Sequence, residues 1–344
     1  MVSRDSIMEC HCEKCSSRRH LHRTAFGAVQ VSNLLFAVLL TSFLIGCSSL
    51  STSPTPDAVT LSPVATEATI ATESPTPAAP TAAPDYVEKI RNAEYQLSLT
   101  DSRQIVQLVD GKYERGASGG ADFVSASVTP FVARGDLTGD GEDEYAALVA
   151  ENYGGSGTFV FLAVFADVDG TPVFQTSTLV DDRPLLNELS IEDNEIFLDA
   201  VVHGFEEPMC CPTLRTTRHF RFIERQLDMT EYTTFTPDAR PRTITITAPA
   251  SGTETYSSIQ ITGNVAIAPF ENNLVYRIYD VSGIELSVGA ISVSAADPGA
   301  PGTFDTIIPI GNALSGAVIR LEVQDISAAD GSLLAMDSVE LVVK

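Results

Sequence analysis

A mainly β chain is predicted, in which an apolar leader and a long low-complexity segment precede two β-rich regions. Three observations predict it. Short apolar runs bounded by Gly, Asp, Pro and Ser recur from residue 105 to the C-terminus, one stretch alone carries a helix-start signal, and residues 48–84 are mostly Ser, Thr, Pro and Ala. The 344 residues include 21 Lys/Arg and 45 Asp/Glu, giving a net charge of −24.

The first element is the uncharged stretch Ala25 to Gly46, preceded by Arg18, Arg19 and Arg23. It ends in Leu44-Ile45-Gly46-Cys47, which reads as the lipobox of a bacterial lipoprotein, with residues 1–46 as the signal peptide. Cys47 would then be the lipidated residue and would hold the chain on the membrane, since several acyl chains bury methylenes at ~0.8 kcal/mol each. An uncleaved spanning helix is the alternative, because ~20 apolar residues cross a bilayer. Either reading leaves everything after Cys47 on the extracytoplasmic face of the cell membrane, because the leading arginines stay inside.

Without residues 1–46, which carry five Lys/Arg and three Asp/Glu, the net charge becomes −26. Such a field excludes nucleic acid as a partner and suits divalent cations. Cys10-His11-Cys12 with Cys15 has the spacing of a thiol metal cluster but precedes a discarded leader, so no metal is assigned there. Only Cys210 and Cys211 remain for the folded part, between Pro208 and Pro212. In an oxidising compartment they form a vicinal disulfide or pack as two thiols, and both readings stay open.

Residues 47–84 follow as a tether, since Ser-Pro and Thr-Pro steps without aromatics cannot bury enough surface to offset ordering entropy. The folded part starts with a short helix from Asp85 through Ala93, with Asp85 as N-cap and Glu88 three residues on. Strand runs then appear at 105–109, 145–149, 158–165, 196–202 and 218–223, which makes residues 85–236 a β-rich domain of α+β character. Thr236 to Arg242, with Pro237 and Pro241, is expected to be a hinge. Residues 243–344 hold about seven short runs in ~100 residues, broken at Ser282-Gly283, Pro298-Gly299 and Asp330-Gly331, the count and spacing of an immunoglobulin-like β-sandwich.

The same region resembles the immunoglobulin-like domain of bacterial spore germination proteins, often called Gmad2. The matching features are Ile259-Gln260-Ile261-Thr262-Gly263, Phe270-Glu271 before Val275-Tyr276-Arg277-Ile278, Asp280 with Gly283, Gly302-Thr303-Phe304, and Ser327 with Asp330-Gly331-Ser332. The resemblance implies an extracytoplasmic adhesive or accessory module with no catalytic residues to carry over. Residues 85–236 more loosely resemble uncharacterised domains of bacterial envelope lipoproteins.

Chemistry is sparse. Asp136, Thr138, Asp140, Glu142 and Glu144 alternate through a Gly-containing loop, the pattern in which oxygens hold calcium, and the segment is similar to FG-GAP and dockerin-like loops. Thr138 and Glu144 depart from that pattern, and an acidic hairpin turn is the other reading. Gly154 to Gly157 lacks the following lysine of a phosphate cradle and reads as a strand turn. His203 beside Glu206 and Glu207 is a thin acid/base candidate, and Arg215, Arg218 and Arg221 form a basic island that pairs either with an anionic ligand or with neighbouring carboxylates. No catalytic residue is assigned. The chain is therefore expected to be a non-catalytic accessory module for an envelope protein or cell-wall polymer, with an enzyme housed in 85–236 or a structural spacer as the alternatives.

Overall fold

A computed structural model describes residues 84–100 and 103–344. The expected leader, lipidated Cys47 and tether lie outside the described residues. The protein is mainly β, as expected, with a single α-helix among the described residues.

The chain opens with α1 (Asp85–Arg91), β1 (Glu94–Gln96) and β2 (Ile105–Gln107), followed by β3 (Lys112–Arg115), β4 (Val124–Gly135), β5 (Glu144–Asn152), β6 (Phe159–Val168) and β7 (Thr171–Asp182). Next come β8 (Leu185–Glu192), β9 (Glu195–Val202), β10 (Leu214–Ile223) and β11 (Gln226–Thr234). The C-terminal part holds β12 (Ile244–Ala248), β13 (Thr253–Thr255), β14 (Ser258–Val265), β15 (Asn273–Asp280), β16 (Glu285–Ser292), β17 (Ser294–Ala295), β18 (Gly302–Pro309), β19 (Val318–Ile326) and β20 (Leu333–Val343). The expected N-cap is corrected: Pro84 occupies that position, and Asp85 sits in the first turn, where its carboxylate pairs with Lys89 at 3.5 Å.

β3 to β7 form a five-stranded antiparallel meander. Its middle strands are buried on both faces, which is why their sequences are unbroken apolar runs. Tyr145, Ala147 and Val149 of β5 and Ala163 and Phe165 of β6 face a core closed by α1, β1 and β2. The alternate residues, Ala146 and Leu148 of β5 and Val160, Leu162 and Val164 of β6, face a second core shared with Ile196, Leu198 and Ala200 of β9 and Phe220 of β10. Period-two alternation thus splits one strand between two cores. A third core, which includes Ile261, Leu274, Ile278, Phe304, Ile319, Leu321 and Leu341, fills the C-terminal sandwich.

The sandwich is not a separate pair of sheets. Its four-stranded sheet runs β12-β14-β18-β17, but its other sheet continues through β20 onto β11, giving the order β16-β15-β19-β20-β11-β10-β9-β8, with β13 parallel to β20 at the side. The joint rests on three register pairs, Glu231 with Asp337, Tyr232 with Met336 and Thr233 with Ala335. Side chains fasten it further. Thr234 Oγ1 donates to the Leu334 carbonyl at 2.7 Å, Ser338 Oγ to the Thr230 carbonyl at 2.9 Å, Arg221 pairs with Glu340 at 3.0 Å and Arg320 with Asp228 at 2.9 Å. The segment expected to be a hinge is a closed turn: Thr236 N donates to the Arg240 carbonyl at 2.9 Å and Arg242 N to the Thr234 carbonyl at 2.8 Å.

Gly263 explains two of the sequence features at once. It lies opposite Phe304, and a Cβ at this position would run into the Phe304 ring and the Thr245 carbonyl. Gly263→Ala should therefore destabilise the protein by about 1–3 kcal/mol through overpacking, read as the urea midpoint. A change below about 0.5 kcal/mol, the scale of an ordinary surface substitution, would contradict this contact.

Candidate functional site

The acidic loop expected to hold calcium spans the β4–β5 connection and folds as one tight turn. Asp136 Oδ1 accepts from Thr138 N at 3.1 Å and Gly139 N at 2.6 Å, and Oδ2 accepts from Gly141 N at 2.9 Å. Gly139 and Gly141 have φ of +77° and +89°, which brings those N–H groups inward. Asp140 Oδ1 caps Glu142 N at 2.8 Å, and the buried Glu144 accepts from Leu137 N at 2.8 Å. Desolvation works against ionisation of Asp136, but donation from Gly141, Gly139 and Thr138 outweighs it and holds its carboxyl below the usual range. Burial raises the Glu144 carboxyl, and Asp140 and Asp136 add to that rise. The turn therefore gathers all five residues, with the Asp136, Asp140 and Glu144 carboxylates occupied by backbone N–H groups. Among the described residues, no group of three or more His, Cys, Asp or Glu side chains is arranged as a metal cluster.

Cys210 and Cys211 are bonded to each other on the exposed β9–β10 connection. Glu207 closes this loop by accepting from Gly204 N and Thr213 N, both at 3.0 Å. His203 bonds to Asp181 rather than to Glu206 or Glu207. Its Nδ1 lies 2.8 Å from Asp181 Oδ2 and its N donates to the same oxygen at 2.6 Å. The basic island is spent within the fold. Arg215 pairs with Asp199 at 2.8 Å, Arg221 bridges to Glu340 across the joint, and Arg218 lies over the Tyr232 ring, 5.6 Å from its centroid.

Sequence reasoning missed a buried carboxylate cluster. Glu151 on β5 is fully buried and accepts from the hydroxyls of Tyr95 and Tyr153 and from Ser98 N. Burial first, then Glu151 itself, pushes both tyrosine hydroxyls up. No spacing rule connects residues 95, 98, 151 and 153, because the first β-hairpin and β5 meet only in the folded chain.

A roomy cleft lies elsewhere, where the closed 236–242 turn runs beside the sandwich, and has a volume of about 820 Å³. That is within the usual range for small-ligand sites. Ile267, Phe270, Ile326 and Leu334 give it apolar walls, and Phe270 is 70% exposed at its edge. Glu271 and Asn272 beside it hold left-handed φ of +56° and +55°, which sets the Phe270 loop apart from the β15 strand it leads into. Four charged groups also line the cleft, Arg240 and Arg242 against Glu271 and Asp325. Asp325 on β19 is only 4% exposed and accepts no side-chain or backbone hydrogen bond among the described residues, and desolvation raises its carboxyl despite the nearby Arg242. Arg242 forms no ion pair within 4.0 Å among the described residues, while its neighbour Arg240 is held by Asp238 at 2.9 Å.

Residues 243–332 match the family model described as Gmad2, the immunoglobulin-like domain of bacterial spore germination. The match covers most of the sandwich and supports a binding or accessory module in general. No curated protein matches the chain.

The joint also carries a titrating group. Burial pushes the Asp337 carboxyl up to about 6, against donation from Ile246 N and Ser338 N, with Glu231 and Glu195 adding to the rise. A carboxyl whose folded pKa lies above its unfolded value of ~3.9 binds more protons in the folded state, so its contribution to stability falls as pH rises from about 4 to about 6. Asp337→Asn should remove that contribution, and the melting temperatures of variant and parent should separate in the variant's favour across this window. Parallel curves from pH 4 to 6.5 would contradict the assignment.

Proposed function

We propose that this chain is a lipid-anchored accessory protein of the cell envelope that binds a partner in the cleft beside the 236–242 turn. Residues 1–46 serve as the export signal, Cys47 carries the lipid, residues 47–84 act as a spacer, and residues 85–344 are presented on the extracytoplasmic face. The cleft carries this reading, because it joins a built apolar wall to an exposed aromatic and to charged groups, Arg242, Glu271 and Asp325, that form no ion pair among the described residues. The immunoglobulin-like match over residues 243–332 supports it, since all the sandwich elements of the cleft up to Ala329 lie inside the matched stretch. An envelope protein or wall polymer is the partner class proposed. A calcium ion at the Asp136 turn would add to this reading without carrying it, and calorimetric titration with calcium against Asp136→Asn decides that point.

Two measurements test the proposal. Cells fed labelled fatty acid should label the parent chain and not Cys47→Ser, which should also leave the membrane fraction; a labelled variant would overturn the anchor. A photo-crosslinking residue at position 270 should give a discrete adduct in intact cells. The same residue at Leu314, which is 78% exposed and lies outside the cleft, should not. Identical products from both positions would overturn the cleft as the binding face.

A further inference from the structure

We propose that the cleft takes a zwitterionic ligand, a short peptide with free amino and carboxyl groups, whose ammonium meets Asp325 and whose carboxylate meets Arg242. This rests on the binding reading above and names its ligand class.

The argument begins with what the two charged groups lack. Asp325 is only 4% exposed, and what surface it keeps lines the cleft, yet it has no hydrogen-bond donor among the described residues. Holding a carboxylate nearly out of solvent without a donor is unfavourable, so such groups normally find partners. Arg242 is near enough to favour its charged form, but not within the 4.0 Å of an ion pair, so the two do not satisfy each other. Opposite charges that line one cleft without pairing each remain open to a ligand group of the opposite sign.

The pairing also excludes simpler ligands. A cation at Asp325 would be repelled by Arg242, and an inorganic anion at Arg242 would be repelled by Asp325 and by the rim carboxylate of Glu271. A ligand carrying both charges meets both groups and adds no net charge to a strongly acidic chain. Space fits the same class, since about 820 Å³ holds several residues and is more than a single amino acid fills. Ile267, Ile326 and Leu334 supply apolar surface for side chains, and Phe270 covers one side. Arg240 contributes little, because Asp238 already engages it.

The test is calorimetric titration of the full chain with alanyl-leucyl-alanine, its N-acetyl form and its C-terminal amide. The free tripeptide should bind saturably, and N-acetylation or amidation should each weaken binding at least tenfold. Asp325→Asn should weaken the free tripeptide equally while leaving the N-acetyl form unchanged, and Arg242→Gln should behave likewise toward the amide. Because Asp325 is a buried carboxylate without a donor, Asp325→Asn should melt no lower than the parent, which separates lost binding from lost folding. Equal binding of all three peptides, or none by any, overturns the inference. The crosslink at position 270 keeps the two claims distinct: if it forms while the peptides fail, only the ligand class falls, and if both fail, the cleft falls as well.

Discussion

Three register pairs between β11 and β20 carry the link between the two β-rich parts, and the cleft depends on them. Glu231, Tyr232 and Thr233 extend the sandwich sheet into the amino-terminal part, so the turn leaving β11 must run beside the sandwich rather than away from it. Arg242 reaches the cleft because its N–H is tied to the Thr234 carbonyl at the end of that same strand. The backbone contribution of so short a ladder is modest at about 0.5–1.5 kcal/mol per hydrogen bond. The side-chain ties from Thr234, Ser338, Arg221 and Arg320 add to it on both sides of the ladder.

Electrostatics within the fold follow from the acidic composition. With more than two acids for every base, most arginines described are taken up by carboxylates, as with Arg215 on Asp199, Arg277 on Glu285 and Arg320 on Asp228 and Glu322. Surplus carboxylates are stabilised by backbone N–H groups instead, most fully at Asp136. Against that background Asp325 stands out, because it is the one acid among the buried residues described that has no hydrogen-bond or ion-pair partner, and Arg242, itself outside any ion pair, lines the same cleft.

Much of the strand content was legible, and the reason lies in burial. Runs such as Phe159 to Phe165 and Val318 to Ile326 are apolar because the strands are packed on both faces or face the sandwich core, and Ile259-Gln260-Ile261 alternates because one face of β14 is solvated. β11 was not legible. It enters through a two-residue turn of Glu224 and Arg225, whose φ of +48° and +65° belong to a hairpin turn usually marked by Gly, Asn or Asp. β7 and β8 are mixed in polarity, with half-buried Thr and Ser, and gave no periodic signal. Pro237 and Pro241 suggested a hinge because proline breaks strands, whereas here they bound a hydrogen-bonded turn.

The candidate site divided in the same way. The Asp136 turn was visible because its residues are consecutive. The cleft was not, since Arg242, Phe270 and Asp325 are spread over more than eighty positions and meet only through sheet topology. The central claim, that one sheet spans both parts, is tested most directly by hydrogen exchange of the backbone amides in β11 and β20. Residues 231–233 and 335–337 should be protected to the same degree as the interior strand β19 and should open together with it. Exchange of those amides at loop-like rates, while β10 and β19 stay protected, would mean that the two parts are merely tethered.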